Sequence, residues 1–205
     1  MRILKTVLLW IAIISGAVVG TILLSVGLFP LFVHFDHLDQ IANLSFGRLN
    51  QNYWQLMLYL VVPWISPLKM RDFPVSVSGA HHFADVKNLF VLALIVLIVT
   101  IVPAIRYWHQ LRQQHRRYVL VRPFQIGAVV PVILGALMAI NFDEVFVTFH
   151  HILFRNSDWL FDPVTDPVIN VLPEDFFLAC FIVALLLFEI VMGIGIWRGK
   201  QDSRR

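Results

Sequence analysis

Four stretches of this chain run for bilayer length with almost no charge, and that leaves few folds open to it. They cover about residues 6–33, 88–105, 124–147 and 176–197. A helix that crosses the hydrocarbon core needs about 20 predominantly apolar residues. The first stretch, with VLLWIAIISGAVVGTILLSVGLFPLFV as its body, is too long for a signal-peptide core and no small-x-small site closes it, so it reads as a retained helix. Composition agrees. Of 205 residues, 59% are hydrophobic and 14% charged, about half the charged share of a soluble domain. Mean hydropathy is +0.77, which excludes a disordered chain. Cys180 is the single cysteine and lies in an apolar run, so a disulfide scaffold, CxxC redox chemistry and cysteine-rich zinc sites are excluded. The expectation is an all-α membrane protein, one integral membrane domain over residues 1–205 with four transmembrane helices.

Basic residues orient such helices. Arg2 and Lys5 precede the first, while Arg106, Arg112, Arg116, Arg117 and Arg122 crowd the second connection. With Arg198, Lys200, Arg204 and Arg205 in the tail, eleven of the 16 basic residues share one side. Eleven of the 13 acids fall at or beyond the opposite ends. Both termini are therefore expected in the cytoplasm of a multi-pass cell-membrane protein, with residues 34–87 and 148–175 facing outward. The pI of 9.3 then reports topology, and no nucleic-acid partner is expected. The first outward segment holds a 13-residue apolar run, residues 53–65. It is too short to span, has aromatic ends and is closed by Pro63, so it reads as a short interfacial or re-entrant helix. In the second, Trp159, Phe161, Val168, Ile169, Val171 and Leu172 need partners to pack against. The two segments are expected to form an outward-facing cap.

Six of the eight histidines lie in these segments: His34, His37, His81, His82, His150 and His151. Four of them form two adjacent pairs at the outer ends of expected helices. Ionisable groups near membrane depth are costly and usually functional, and imidazole exchanges protons near neutral pH. Asp85 follows His82 at i+3, on one helical face, where a carboxylate can fix the imidazole tautomer as in a catalytic triad. Asp143 precedes His150 by seven residues, again on one face if the helix is continuous. Two other readings compete: headgroup-level histidines bonded to phosphate, and a three-ligand metal site. No HExxH or comparable spacing is present, so no metal is expected. No G-x-S-x-G marks a serine nucleophile. Glu189, the one acid inside the fourth span, suits either a proton relay or a packing hydrogen bond.

The motifs around these histidines resemble a known family. His82-Phe83-Ala84-Asp85-Val86-Lys87 is similar to the H-x-x-D-V-K motif of the bacterial lipoprotein intramolecular transacylase (Lit) family. Phe149-His150-His151-Ile152-Leu153-Phe154, Trp159-Leu160-Phe161-Asp162-Pro163 and Leu172-Pro173-Glu174-Asp175-Phe176-Phe177 resemble its F-H-x-x-F-F, W-x-F-D-P and L-P-E-x-F-F run. The four-helix layout agrees along essentially the whole chain. Two positions depart. Leu153 replaces the first paired Phe, and Gly79 stands where many members carry a glutamate three residues before the first histidine. Any role of that acid is therefore absent here or supplied by another residue.

The resemblance implies acyl transfer on a diacylglyceryl-modified lipoprotein, moving a chain from the glycerol to the α-amine of the N-terminal cysteine and leaving the lyso form. It points to His82 and His150 as the catalytic pair, one base and one acid, and the helical spacing adds Asp85 and Asp143 as orienting acids. Lys87, Asn156, Trp159 and Asp162 are candidates for positioning the ester or the oxyanion. No cofactor is expected, membrane lipid is, and the oligomeric state stays open. The reading from another class is a non-enzymatic four-helix membrane protein whose cap binds a lipid headgroup or a partner chain.

Overall fold

The apolar stretches fold as helices because a chain in lipid must satisfy its backbone groups internally. The computed structural model describes residues 2–204, so Met1 and Arg205, the last basic residue of the tail, lie outside the described residues. These comprise α1 (Arg2–Phe35), α2 (Leu38–Ile41), α3 (Phe46–Val61), α4 (Val77–Gln113), α5 (Val121–Gly127), α6 (Val129–Ile140), α7 (Phe142–Leu153) and α8 (Glu174–Asp202), with single 3-10 turns at Arg117–Leu120 and Pro167–Val171. No strand occurs among them. Four segments are long and apolar enough to cross a membrane: α1, α4, the continuous run Arg117–Ile140, and α8. The four-helix expectation holds, with two boundary corrections that matter for the histidines.

The second span was expected from residue 88, yet α4 begins at Val77, so His81 and His82 sit within its first two turns. The start is fixed by Ser76, whose Oγ accepts the Gly79 N–H at 2.9 Å, a capping bond for an otherwise orphaned donor. The third span was expected to run through residue 147. It stops at Ile140, because Asn141 is extended (φ −157, ψ 95). A separate helix, α7, then starts with Asp143 and Glu144 in its first turn, where the helix dipole favours acids. His150 therefore rides on a short helix of its own.

By packing, the chain forms two compact units. One comprises Met1–Thr21, Ala93–Phe142 and Phe181–Arg205, and it carries the ten described residues of the eleven basic ones that set the expected orientation. Its core is built around Phe124, Leu120 and Met192, each at most 1% exposed. Trp10 meets Phe124 edge-on at 5.4 Å. The Arg117 guanidinium donates to Asp202 through Nε (2.9 Å) and Nη2 (2.7 Å), fastening the second connection to the end of α8. Glu189 Oε1 is buried here without a hydrogen-bond partner.

The other unit comprises Ile22–Leu92 and Asp143–Cys180 and holds eleven of the 13 acids. The apolar run of the first connection lies largely in α3, which ends before Pro63. Leu49, Tyr53, Leu56 and Leu60 form its buried stripe, the i, i+4, i+7 pattern of an amphipathic helix. Tyr53 stacks on Phe29 at 4.0 Å and donates its hydroxyl to Ser25 Oγ at 2.9 Å. Arg48 Nε donates to Asp72 Oδ2 at 2.9 Å and Asn52 Nδ2 to the same oxygen at 2.7 Å, which holds the Asp72 carboxyl down at about 2. Val168, Val171 and Leu172 are 3, 2 and 6% exposed in the same core, meeting the need for partners read from the sequence.

Candidate active site

His82 and His150 both belong to the acid-rich unit, 8% and 9% exposed, with ring centroids 5.9 Å apart. An aromatic wall surrounds them. Phe154 stands 4.8 Å from His82 and 5.7 Å from His150, Phe161 lies edge-on to His82 at 5.4 Å, and Trp159 lies over His150 at 4.8 Å. Phe146 closes the far side at 4.2 Å from His150. The paired neighbours point elsewhere: His81 has a 70% exposed side chain, 3.8 Å from Asp158, and His151 is exposed, touching Trp159 edge-on. Adjacent residues on a helix face different directions. Each pair thus contributes one ring to the buried centre.

The tautomer of His150 follows from its partner. Nδ1 lies 2.8 Å from the Phe146 carbonyl oxygen, which only accepts, so Nδ1 carries the hydrogen and Nε2 presents the lone pair. Burial pushes the His150 imidazole below its ordinary range; the Phe146 carbonyl bond works against this and His151 works with it. His82 Nδ1 is buried with no hydrogen-bond partner. Unpartnered buried nitrogens cost about 1–3 kcal/mol and are rare unless a function retains them.

The two acids expected to orient the histidines have hydrogen-bond partners of their own, and the charge of Asp85 still reaches His82. Asp85 shares the face of His82 but accepts from Asn156 Nδ2 at 3.0 Å. Asp143 is hydrogen-bonded to Glu174. Periodicity places each acid on the face of its histidine, but the Asn156 amide engages Asp85 and the Glu174 carboxyl engages Asp143. Lys87 Nζ is engaged by the Ile65 carbonyl and lies 4.4 Å above the Tyr59 ring. Asp162 Oδ1 accepts the Val164 N–H at 2.9 Å and shapes a turn. Asn156 Oδ1 accepts from the Asp158 N–H, so both ends of that amide are engaged. Of the positioning candidates, Trp159 alone keeps a buried donor without a partner, its indole Nε1. No three His, Cys, Asp or Glu side chains among the described residues come together as a metal ligand set.

Two features escaped the sequence. Phe154, second of the F-F positions, contacts both histidines and is 7% exposed, whereas Leu153 is 40% exposed. The departure at Leu153 is therefore outside the wall. The second is Asp166, 2% exposed, whose Oδ1 accepts the Ser76 N–H at 2.7 Å and Oδ2 the Ser76 hydroxyl at 2.6 Å. A Cβ on Gly79 would fall 2.9 Å from its Cγ and nearer still to Oδ1. A carboxylate from residue 166 thus occupies the space a side chain at 79 would enter, one turn before His82. Gly79 was the only sequence signal of it. With Asn156–Asp85, this contact forms the second of two clasps that tie residues 154–166, and so the aromatic wall, to α4.

Comparison with known proteins finds relatives of both the sequence and the fold. The family model described as lipoprotein intramolecular transacylase Lit matches residues 3–177. The in meso structure of the membrane integral transacylase Lit from Bacillus cereus is similar over 99% of this chain and 95% of that one, at 27% identity and TM-score 0.88. Structures of that enzyme with one histidine changed to arginine or to alanine match at 26% identity, with TM-scores of 0.78 and 0.79. The first covers 98% of this chain and 91% of its own, the second 99% and 93%. No curated protein sequence matches.

Proposed function

Because the chain belongs to the lipoprotein intramolecular transacylase (Lit) family, we propose that it is an acyltransferase acting on a diacylglyceryl-modified lipoprotein, with His82 and His150 as its proton-handling pair. The observation that carries this reading is the pair of buried rings, 5.9 Å apart inside an aromatic wall. The amine nitrogen of the lipoprotein's N-terminal cysteine attacks an ester carbonyl on its own diacylglyceryl group. The C–N bond forms, the tetrahedral intermediate collapses, and the ester C–O bond breaks, leaving an N-acyl, S-monoacylglyceryl product. One proton leaves the nitrogen and one reaches the glyceryl oxygen, so the balance closes without a cofactor.

Donor and acceptor belong to one molecule, so the entropy of bringing them together is already met. The remaining demands are a base for the amine, charge stabilisation at the oxyanion and an acid for the leaving oxygen. His150 suits the base, since the Phe146 carbonyl leaves Nε2 with the lone pair. His82 suits the relay to the glyceryl oxygen, with its Nδ1 free of any protein partner. Trp159 Nε1 suits the oxyanion for the same reason. Asp85 and Asn156 act by holding the wall. The site works at the outer leaflet, where diacylglyceryl anchors sit at headgroup depth.

Mass spectrometry of lipoprotein N-termini tests the reading in cells that lack this protein and receive variants of it. The lyso form should appear with the wild type and be lost with His82→Ala or His150→Ala at unchanged protein level. His81→Ala and His151→Ala should keep most activity. Full activity in either key variant removes that histidine from the mechanism. Loss of diacyl lipoprotein without any N-acyl product would point to a lipase.

A further inference from the structure

Beyond the transacylase site, the basic unit contains a concave surface of its own. A cavity of about 680 Å³ opens between the ends of α4 and α8, within the range of small-ligand sites. Arg112, Arg117 and Arg198 line it with His109 and His115, and Asp202 is the one acid among the described lining residues. That acid is already engaged. Its Oδ2 accepts from the Arg117 backbone N–H and Nε, and its Oδ1 from Nη2. Gly199 permits the approach, since a Cβ there would lie 2.9 Å from the Arg117 carbonyl oxygen. Arg117 and Asp202 thus form a neutral floor, their side chains 11% and 2% exposed. Arg112 and Arg198 stand exposed at the rim, and among the described lining residues no acid besides Asp202 is there to answer them.

Like charges gathered around a concavity repel one another unless an anion joins them. Guanidinium forks match phosphate oxygens. The location narrows the source of that phosphate. Both helices are long and apolar enough to cross a membrane, and Trp197, 55% exposed, lies beneath the Arg198 guanidinium at 4.3 Å. Exposed tryptophan beside arginine is the signature of headgroup depth, and basic pockets between such helix ends take anionic headgroups. We propose that this cavity, rimmed by Arg112 and Arg198, is a binding site for the phosphate of an anionic phospholipid. Tail-side basic charge would by itself attract anionic lipid diffusely; the cavity makes the attraction a site.

Native mass spectrometry of the full chain in detergent tests it, with phosphatidylglycerol, phosphatidylcholine or inorganic phosphate added. Phosphatidylglycerol should be retained in preference to phosphatidylcholine. The double variant Arg112→Gln/Arg198→Gln removes two charge-assisted contacts to the phosphate and should weaken that retention about 100-fold. A charge-matched control, Arg106→Gln/Arg122→Gln, removes two arginines outside the cavity lining and should change it less than threefold. Equal losses in the two double variants would reduce the effect to diffuse charge and overturn the site. Displacement of the lipid by millimolar inorganic phosphate would overturn the lipid as its source. Both double variants should keep the wild-type melting temperature and transacylase activity, so failure here leaves the catalytic reading standing.

Discussion

Replacing Asp166 probes the clasp that seats the histidine helix. In Asp166→Ala the half-buried Ser76 N–H loses its only described acceptor, a carboxylate that is itself 2% exposed, and leaving that donor unpaired costs up to about 2 kcal/mol. The lost Ser76 hydroxyl bond adds to this, for a destabilisation of about 3 kcal/mol. In a chain of this size that is a fall of about 6–12 °C in melting temperature. Gly79→Ala alone forces a methyl against a carboxylate held by Ser76 and by Thr165 Oγ1 at 3.3 Å, an overpacking cost of about 1–3 kcal/mol. In the Asp166→Ala background that methyl enters vacated space and gains up to about 1 kcal/mol of helix propensity. Gly79→Ala should therefore change sign between the two backgrounds, a coupling of about 2 kcal/mol or more. Thermal unfolding in detergent at one scan rate measures all four corners, with lyso-lipoprotein yield read in parallel. Additive shifts would show that the two residues do not compete for space and refute the clasp. Gly79→Glu in the Asp166→Ala background returns a carboxylate to the same turn and should recover product that Asp166→Ala loses.

An unperturbed imidazole would centre the acid limb of the rate near pH 6.5. Burial depresses His150 below that value, so the base stays neutral further into acid and the limb should fall below pH 6.5; a limb at or above 6.5 would remove His150 as the base. Stability follows the same sign: the unfolded chain binds the proton more readily, so the contribution is full above pH 6.5 and is lost as pH falls towards the folded value. For orientation, a cysteine at Val164, 84% exposed, should react with an impermeant thiol reagent outside intact cells in a Cys180→Ala background. A cysteine at Ser203 should not, and the reverse pattern would invert the topology.

The spans were legible in the sequence because a run of some 20 apolar residues has one stable solution in lipid, and no distant contact is needed to choose it. The helix of the first connection was legible in part: the apolar run 53–65 with its Pro63 marked the second half of α3, while the turns from Phe46 to Asn52 carried no such run. His82 and His150 were legible through motifs, although periodicity alone left each indistinguishable from its neighbour. The partners of the acids were not legible. Asp85 and Asp143 lie on the faces their spacing assigned, yet they bond Asn156, 71 residues away, and Glu174. Asp166 reaches Ser76 across 90 residues, and in the sequence it left only the mark of a missing side chain at Gly79. Periodicity reports which face a residue occupies, a property of local backbone geometry. Which donor fills that face depends on how segments far apart in the chain are brought together, and only the tertiary structure decides that.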